Sequence, residues 1–245
     1  GDVTFNGELA SAKSIAHRLK PLTAAGIRVL VIPGNHDIYD GWARRFHGDT
    51  QSKVAQIGPE DWRRIFNDGY AHAASEDADS LSYAVNLNPR YQLLMLDDNI
   101  YTVQPASIPP NTGGRLRAST LRWLRRRLEQ ARADHRQTLV FMHHNLYDHH
   151  QHASGWTLDN AATLRKLLAA YRVPVVFSGH IHAQDISADP AKRHPTKEIV
   201  SASLTETPGI YGAVTLSAHH VRYHTATQTP TPYTTATQAQ KPQYR

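Results

Sequence analysis

Short apolar runs that alternate with helical patterns constrain the fold of this chain more than any other feature. The apolar runs cover residues 27–32, 92–96, 138–142 and 173–177, and each run ends in polar residues. Apolar residues at helical spacing occupy the segments before and between them, residues 8–25, 119–133 and 158–171. Strands that alternate with helices indicate an α/β layered domain with crossover connections.

The remaining segments differ in composition from these alternating units. Short β-rich stretches over residues 198–204, 212–217 and 220–224 predict an antiparallel sheet that closes the domain. Residues 38–80 form a polar insertion in which residues 59–66 predict a short helix. Residues 225–245 are rich in Thr, Gln and Pro and contain no acidic residue, so we expect a linker or a disordered tail there.

Basic residues give the chain of 245 residues a formal net charge of +6, which suits an anionic partner. Much of this excess comes from the eight arginines between residues 115 and 136. Within that segment Leu121, Leu124 and Leu128 recur at helical spacing, which predicts an amphipathic helix with a solvated arginine face. A nucleic-acid surface is the alternative interpretation of the same arginines.

Histidine is the residue type that carries most information about chemistry. The chain contains 16 histidines and no cysteine. The absence of cysteine excludes disulfides and thiolate metal sites, so any metal must bind through oxygen and imidazole. Imidazole is the commonest transition-metal ligand and the side chain best suited to proton transfer near neutral pH.

Potential metal ligands follow the predicted strands at the points where the strands end. The sets are Asn35 and His36, His143 and His144, His180 and His182, and, before the first predicted helix, Asp2 and Asn6. Loops at one edge of a layered α/β sheet converge on a common crevice, so we expect these groups to be neighbours. A lone histidine at a strand end is more often a hydrogen-bonded rim residue, but four such sets favour a metal site. Asp, Asn and His without Cys suit a pair of divalent ions such as Mn, Fe, Zn or Ni.

Four motifs resemble those of a known family in their order and spacing. They are GDVTFNG at residues 1–7, GNHD at 34–37, His143, and GHIH at 179–182. Together they resemble the calcineurin-like metallophosphoesterases over about residues 1–220. The stretches SLSY at 80–83, LMLD at 94–97 and HHNLYD at 143–148 are similar to the bacterial cyclic-nucleotide phosphodiesterase branch, which includes exported members.

The resemblance implies a four-layer α/β/β/α sandwich of two mixed sheets flanked by helices, with a two-metal site at the sheet edge. This catalytic domain would cover residues 1–224 and include the insertion at residues 38–80. The chain begins at Gly1, so we expect the family's first motif, Asp-x-His, and its strand to lie upstream. Without that motif, one ion has two of its four expected protein ligands.

The resemblance also implies roles for individual residues. Asp2 would bridge the two ions, Asn35, His143 and His180 would hold one ion, and His182 would hold the other. His36 would be the proton donor or phosphate-stabilising group, and Asp37 would orient His36.

Substrate contacts are predicted among neighbours of these motifs. His144 lies beside His143 in the sequence, and His149 is either a further contact or a solvated loop residue. Tyr39 and Tyr147 are candidates for stacking against a base, as are Trp42 and Trp156. Packing in the core or in a lid is the alternative for each of these aromatic residues.

The expected function is hydrolysis of phosphodiesters, with cyclic nucleotides as a candidate class, by a metal-activated hydroxide. The expected partner is a small phosphate ester, foremost a nucleotide, rather than a nucleic acid. The alternatives are a non-catalytic phosphate-binding scaffold that lost one ion site, and a nuclease whose arginine helix tracks DNA. The sequence has no membrane-spanning run and gives no oligomeric state. Its Thr-rich tail and its resemblance to exported members favour the bacterial cell envelope, and the cytoplasm is the alternative.

Overall fold

The structure, a computed structural model, describes residues 1–39, 41–101, 110–149, 156–218 and 220–228. Its helices are α1 (Leu9–Ala24), α2 (Pro59–Ile65), α3 (Asn67–Ala71), α4 (Ala118–Ala133) and α5 (Ala161–Ala170). Its strands are β1 (Arg44–His47), β2 (Thr50–Lys53), β3 (Ser75–Glu76), β4 (Tyr83–Asn88), β5 (Tyr91–Met95), β6 (Gln137–Phe141), β7 (Val175–Ser178), β8 (Asp185–Ala188), β9 (Lys197–Val200), β10 (Gly209–Leu216) and β11 (Val221–Gln228). All of the described helices are too short or too polar to span a lipid bilayer.

A seven-stranded mixed sheet, in the order β3-β4-β5-β6-β7-β9-β8, forms the centre of the described fold. The strands β5, β6, β7 and β9 pair in parallel, whereas β3, β4 and β8 pair antiparallel to their neighbours. Parallel neighbours require crossover connections, and α4 joins β5 to β6 while α5 joins β6 to β7. The predicted α/β fold, with a large mixed sheet flanked by helices, is therefore confirmed.

Side chains of the central strands alternate between two apolar cores, one on each face of the sheet. Leu94 and Val140 belong to the core beneath α4 and α5. Leu93 and Leu139, their immediate neighbours in sequence, belong to the core on the opposite face. Because both faces are covered, these strands read as continuous apolar runs. For that reason the runs at residues 92–96 and 138–142 predicted β5 and β6 correctly.

The antiparallel hairpin of β10 and β11 packs over the second face of the sheet. Leu216 and Val221 pack against that core, and the ring centre of Tyr223 lies 6.0 Å from that of Phe177. The strands predicted at residues 212–217 and 220–224 both form, although each is longer than expected. The stretch predicted at residues 198–204 instead contributes β9 to the main sheet, parallel to β7. β11 continues through Gln228, and the rest of the predicted tail, residues 229–245, lies outside the described residues.

Residues 27–32, predicted as a buried strand, form no strand in the structure. Their backbone groups bind side chains instead. The Val29 N–H donates to the Asp68 carboxylate at 2.6 Å, and the Val31 carbonyl accepts from the Tyr83 hydroxyl at 3.0 Å. Ile27 is 53% exposed. The strand prediction is wrong because no strand among the described residues pairs with this segment.

Helix α4 presents its arginines to solvent and its apolar residues to the sheet. Arg122, Arg125 and Arg126 are exposed, whereas Leu124 and Trp123 are buried. The predicted solvated arginine face is therefore confirmed. Because the Trp123 ring lies in the core, it offers the arginine face no surface for stacking against bases.

The burial of leucines within helices predicts a measurable difference in stability. Leu124 in α4 is 0% exposed, and Leu22 in α1 is 41% exposed. Leu124→Ala leaves a cavity, so we expect a loss of about 3 kcal/mol in the free energy of unfolding. The matched helical control, Leu22→Ala, is expected to change it by less than about 0.5 kcal/mol. Urea denaturation followed by circular dichroism measures both, and equal losses would contradict the assigned core.

Candidate metal centre

Four potential ligand atoms converge on one point at the edge of the sheet. The Nε2 atom of His143 lies 3.2 Å from Asp2 Oδ2, 3.0 Å from Asn35 Oδ1 and 3.3 Å from His180 Nδ1. His143 follows β6 and His180 follows β7, and these strands are parallel neighbours. Among the described residues, Asp2, His143 and His180 are the one group of three acidic or histidine side chains close enough to share a metal ion.

The four atoms are arranged more suitably for coordinating one divalent metal ion than for hydrogen bonding to one another. A single N–H at Nε2 of His143 can satisfy only one of the three atoms around it. Ligands about 2.1 Å from a common ion lie about 3.0–3.4 Å apart in octahedral or tetrahedral geometry. The observed separations are 3.0–3.3 Å. Within the described structure, Nε2 of His180 and Nδ2 of Asn35 are also buried without a hydrogen-bond partner.

Three of the predicted ligands have an unusual backbone conformation. Asp2, His180 and His182 have φ angles of 55°, 71° and 55°, in the left-handed region that residues other than glycine rarely adopt. His135, Arg172 and Lys192 share this region. His135 and Arg172 lie just past the end of a helix, where it is the usual conformation, and Lys192 lies in an exposed turn in which its N–H donates to the Asp189 carbonyl. Strained residues away from such helix ends concentrate at functional sites.

The protonation states of the cluster suit metal binding. Burial lowers the pKa of His143, and burial together with the nearby His144 and His143 lowers the pKa of His180 to about 3. Burial opposes the charge on Asp2, but hydrogen bonds with His143 and from the His36 backbone N–H at 3.0 Å hold the pKa of this carboxyl well below its usual range. Neutral imidazole and ionised carboxylate are the forms in which these groups bind metals.

His144 supports the cluster from behind and does not line the cavity at the site. It is 0% exposed, and its backbone N–H at 2.9 Å and its Nδ1 at 3.2 Å both meet the buried carboxylate of Asp98. Burial disfavours both charges, but their attraction outweighs it, which raises the pKa of His144 and lowers that of Asp98. The His144 ring centre lies 4.5 Å from that of His180. His144 was predicted to contact the substrate, but the structure places it behind the ligand cluster, where it supports His180.

Asp37 joins two loops through hydrogen bonds, and the ring of His36 contacts a different residue. The buried Asp37 carboxylate accepts from the Gly34 N–H at 2.8 Å, and from the N–H and hydroxyl of Thr4 at 2.8 and 2.7 Å. The Nδ1 atom of His36 lies 3.2 Å from Oδ1 of Asn6, in the loop before α1. Asn6 therefore replaces Asp37 as the partner of the His36 ring.

His182 lies apart from the ligand cluster. Its side chain is half exposed, and its Nδ1 lies 2.7 Å from Oε1 of Glu206. It lines the same cavity as Asp2 and His180, but it does not belong to the group of three around His143. The described residues thus form one candidate ion site. His182, the ligand predicted for the second ion, lies next to this site.

A cavity of about 440 Å³ opens beside the cluster, and Tyr147 and Trp156 form part of its wall. Tyr147 is buried, and its hydroxyl donates to the Thr196 carbonyl at 3.0 Å. Trp156 is 41% exposed, and its ring centre lies 5.4 Å from that of His180. Of the four aromatic candidates, all within the described residues, Tyr39 and Trp42 do not line the cavity, whereas Tyr147 and Trp156 do.

His149 and Asp185, outside the predicted motifs, line one side of the cavity, and the buried Glu198 lies behind them. His149 bridges Asp185 and the fully buried Glu198, at 2.9 Å from Nδ1 and 2.9 Å from Nε2. Burial disfavours protonation of His149, but hydrogen bonds to Glu198 and Asp185 outweigh it and raise its pKa. The signal available in the sequence was a glutamate at the start of an otherwise apolar β-rich stretch, which periodicity alone did not assign to a site.

Comparison with protein families decides what kind of site this is. The family model for calcineurin-like phosphoesterases matches residues 1–184, the span that carries Asp2, Asn35, His143 and His180. The chain belongs to the calcineurin-like phosphoesterase family. No curated protein matches this calcineurin-like phosphoesterase by sequence. Members of the family depend on two metal ions, and the cluster around His143 is the candidate for that centre.

Two solved structures resemble this calcineurin-like phosphoesterase. A dimetal phosphatase from Danio rerio has a TM-score of 0.60 at 15% identity, and the match covers 90% of this chain and 74% of that one. The protein TT1561 of Thermus thermophilus has a TM-score of 0.48 at 12% identity, over 91% and 83% of the two chains. The likeness to the phosphatase shows a shared fold.

The His149 bridge predicts a pH dependence of stability. Because the pKa of His149 is raised in the folded state, its contribution is fully present below the unfolded pKa of about 6.5 and is lost as the pH rises through the folded pKa. His149→Gln cannot take a charge, so we expect its stability to change less than that of the wild type between about pH 6 and pH 9. Urea midpoints at both pH values measure this, and an unchanged difference would contradict the charged bridge.

Proposed function

We propose that this calcineurin-like phosphoesterase is a metal-dependent phosphodiesterase and that cyclic nucleotides are its substrate class. The observation that carries the proposal is the convergence of Asp2, Asn35 and His180 on Nε2 of His143, all within 3.3 Å. This cluster opens onto the cavity of about 440 Å³. Cavities of roughly 300–1,000 Å³ hold small-molecule ligands, a range that includes a nucleotide.

The protein's task in this reaction is to hold ligands and substrate in place. Asn35, His143 and His180 would hold one ion, His182 would hold the other, and Asp2 would bridge them. Divalent ions bound there would supply Lewis acidity to the phosphate and an activated water. The lowered pKa values of Asp2 and His180 keep both side chains in the ligating form near neutral pH.

His36 is the proposed general acid. Its backbone N–H donates to Oδ1 of Asp2 at 3.0 Å, so the residue lies beside the proposed bridging ligand. Because Asn6 Oδ1 occupies Nδ1 of the ring at 3.2 Å, Nε2 is the ring atom left for the substrate. The half-buried ring lines the cavity. Protonated Nε2 would donate its proton to the leaving alkoxide as the P–O bond breaks.

The cavity wall supports a nucleotide diester as the substrate. Trp156 offers an exposed ring near His180, on which a base could stack while the phosphate lies at the cluster. The carboxylates of Asp148 and Asp185 also line the cavity. Their negative charge favours a diester, with one negative charge, over a monoester with up to two.

Hydrolysis of bis(p-nitrophenyl) phosphate with added Mn²⁺ tests the proposal. We expect turnover that EDTA abolishes, and we expect His36→Ala to lower kcat by about 10²- to 10⁴-fold. Mn²⁺ binding by this variant should match the wild type, because the His36 ring lies outside the ligand cluster. Hydrolysis of 3′,5′-cyclic AMP, followed by release of AMP, then tests the substrate class.

The matched control is His17→Ala, which removes an exposed histidine of α1. This variant is expected to keep both kcat and Mn²⁺ binding. Full activity of His36→Ala would remove the general-acid role. Faster turnover of p-nitrophenyl phosphate than of the diester would contradict the diester preference.

A phosphate-binding module with one ion is the second candidate function. The position of His182 favours it, because Nδ1 of this residue binds Glu206 and does not join the cluster around His143. Such a module would bind phosphate and show no turnover. The number of bound ions therefore separates the two candidates.

Metal stoichiometry is the measurement that distinguishes them. For the dinuclear enzyme we expect two Mn²⁺ ions per wild-type chain and one per chain in His182→Ala, because the second ion loses a ligand. Isothermal titration calorimetry of metal-free protein counts the ions. One ion in both proteins, together with absent turnover, would replace the phosphodiesterase proposal with the binding module if both results persist in a chain extended upstream through the expected Asp-x-His motif.

A further inference from the structure

Glu198 lies in β9 behind the candidate metal centre, and its side chain is fully buried. Its carboxylate accepts four hydrogen bonds. Oε1 accepts from the Leu146 N–H at 2.8 Å and from the Ser178 hydroxyl at 2.6 Å. Oε2 accepts from the Tyr147 N–H at 2.8 Å and lies 2.9 Å from Nε2 of His149. All of these partners belong to segments that carry or flank proposed metal ligands.

The four donors come from the loop after β6 and from the end of β7, which meet at the metal centre. Leu146, Tyr147 and His149 follow His143 in the loop after β6. Ser178 is the last residue of β7 and precedes His180 by two positions. A single carboxylate in β9 therefore ties the loop of one proposed ligand to the turn of another.

A second set of hydrogen bonds extends this tie to the ligand residues. Nδ2 of Asn145 donates to the Ser178 hydroxyl at 3.1 Å and to the Gly179 carbonyl at 3.2 Å. The Gly179 N–H donates to the His143 carbonyl at 3.0 Å. The chain of contacts from Glu198 through Ser178 and Asn145 thus reaches the residues adjacent to both histidines.

The four partners call for hydrogen-bond acceptors at this position. Two partners are backbone N–H groups, and the hydroxyl and the imidazole also donate to the oxygens. Only a carboxylate offers acceptors to all four without a hydrogen of its own. A glutamine would direct its NH₂ group at two of these donors and lose their hydrogen bonds. Fully satisfied buried networks of this kind hold one geometry, whereas partly satisfied ones do not.

We infer that Glu198 is a positioning residue of the metal centre, which sets the separation of His143 and His180 by tying their two loops together. The inference rests on the proposed function, because it treats these histidines as metal ligands. It extends beyond that function because Glu198 touches neither a ligand atom nor the substrate. Its effect on metal binding would pass through the Leu146, Tyr147 and Ser178 contacts.

A matched variant separates this role from a general contribution to stability. Asp77 is also a buried carboxylate, and it accepts from the hydroxyls of Ser80 at 2.7 Å and Thr120 at 2.5 Å. Among the described residues, none of the partners of its carboxylate belongs to the loops after β6 or β7. Asp77→Asn therefore removes a comparable buried charge without touching the ligand loops.

The experiment compares Glu198→Gln and Asp77→Asn with the wild-type chain. Mn²⁺ binding to metal-free protein is measured by calorimetry, and amide hydrogen exchange of Leu146 and Tyr147 is measured without metal. For Glu198→Gln we expect a Kd for Mn²⁺ about 10- to 100-fold higher than that of the wild type, and faster exchange at both amides. For Asp77→Asn we expect a lower unfolding midpoint with unchanged Mn²⁺ affinity and unchanged exchange at these amides.

Wild-type Mn²⁺ affinity and slow exchange in Glu198→Gln would overturn the inference. An equal loss of Mn²⁺ affinity in Asp77→Asn would also overturn it, because the effect would then follow from stability alone. A wild-type chain that binds no Mn²⁺ would overturn the proposed function itself. If instead the wild type and Glu198→Gln both bind Mn²⁺ with equal affinity, only the positioning role of Glu198 is removed.

Discussion

Parallel pairing of β5, β6, β7 and β9 is the constraint on which the rest of the structure depends. Strands that run in the same direction bring their ends to one edge of the sheet, so His143 and His180 meet although 37 positions separate them. Apolar cores on both faces leave that edge as the place where polar loops can gather. The same topology that builds the cores therefore assembles the donor set.

Buried carboxylates then fix the loops at this edge. Asp37 links two loops, Asp98 holds His144, and Glu198 links the loop after β6 to the end of β7. In each case the carboxylate accepts from backbone N–H groups that the strand ladders leave unpaired, and such groups are expensive to bury without a partner. The same carboxylates thus provide hydrogen-bond acceptors for buried backbone N–H groups and orient the residues of the site.

The sequence predicted those features that depend on periodicity and residue type. The run at residues 92–96 became β5 because both of its faces are buried, and the GHIH motif placed His180 at a strand end. Prediction from the sequence failed where the structure depends on a contact with a residue distant in the chain, which no local pattern indicates. Residues 27–32 have the composition of a strand but no neighbour to pair with among the described strands, and Asn6 and Glu198 acquire their contacts only through the approach of distant loops.

The left-handed backbone at Asp2, His180 and His182 bears on how this protein responds to selection for stability. Each such residue costs on the order of 1 kcal/mol relative to glycine in the same conformation. Glycine at these positions would relax the backbone while deleting a proposed ligand. Selection for thermal stability alone would therefore favour substitutions that delete proposed metal ligands, whereas glycine at His135, Arg172 or Lys192, which share this conformation, would leave the metal centre unchanged.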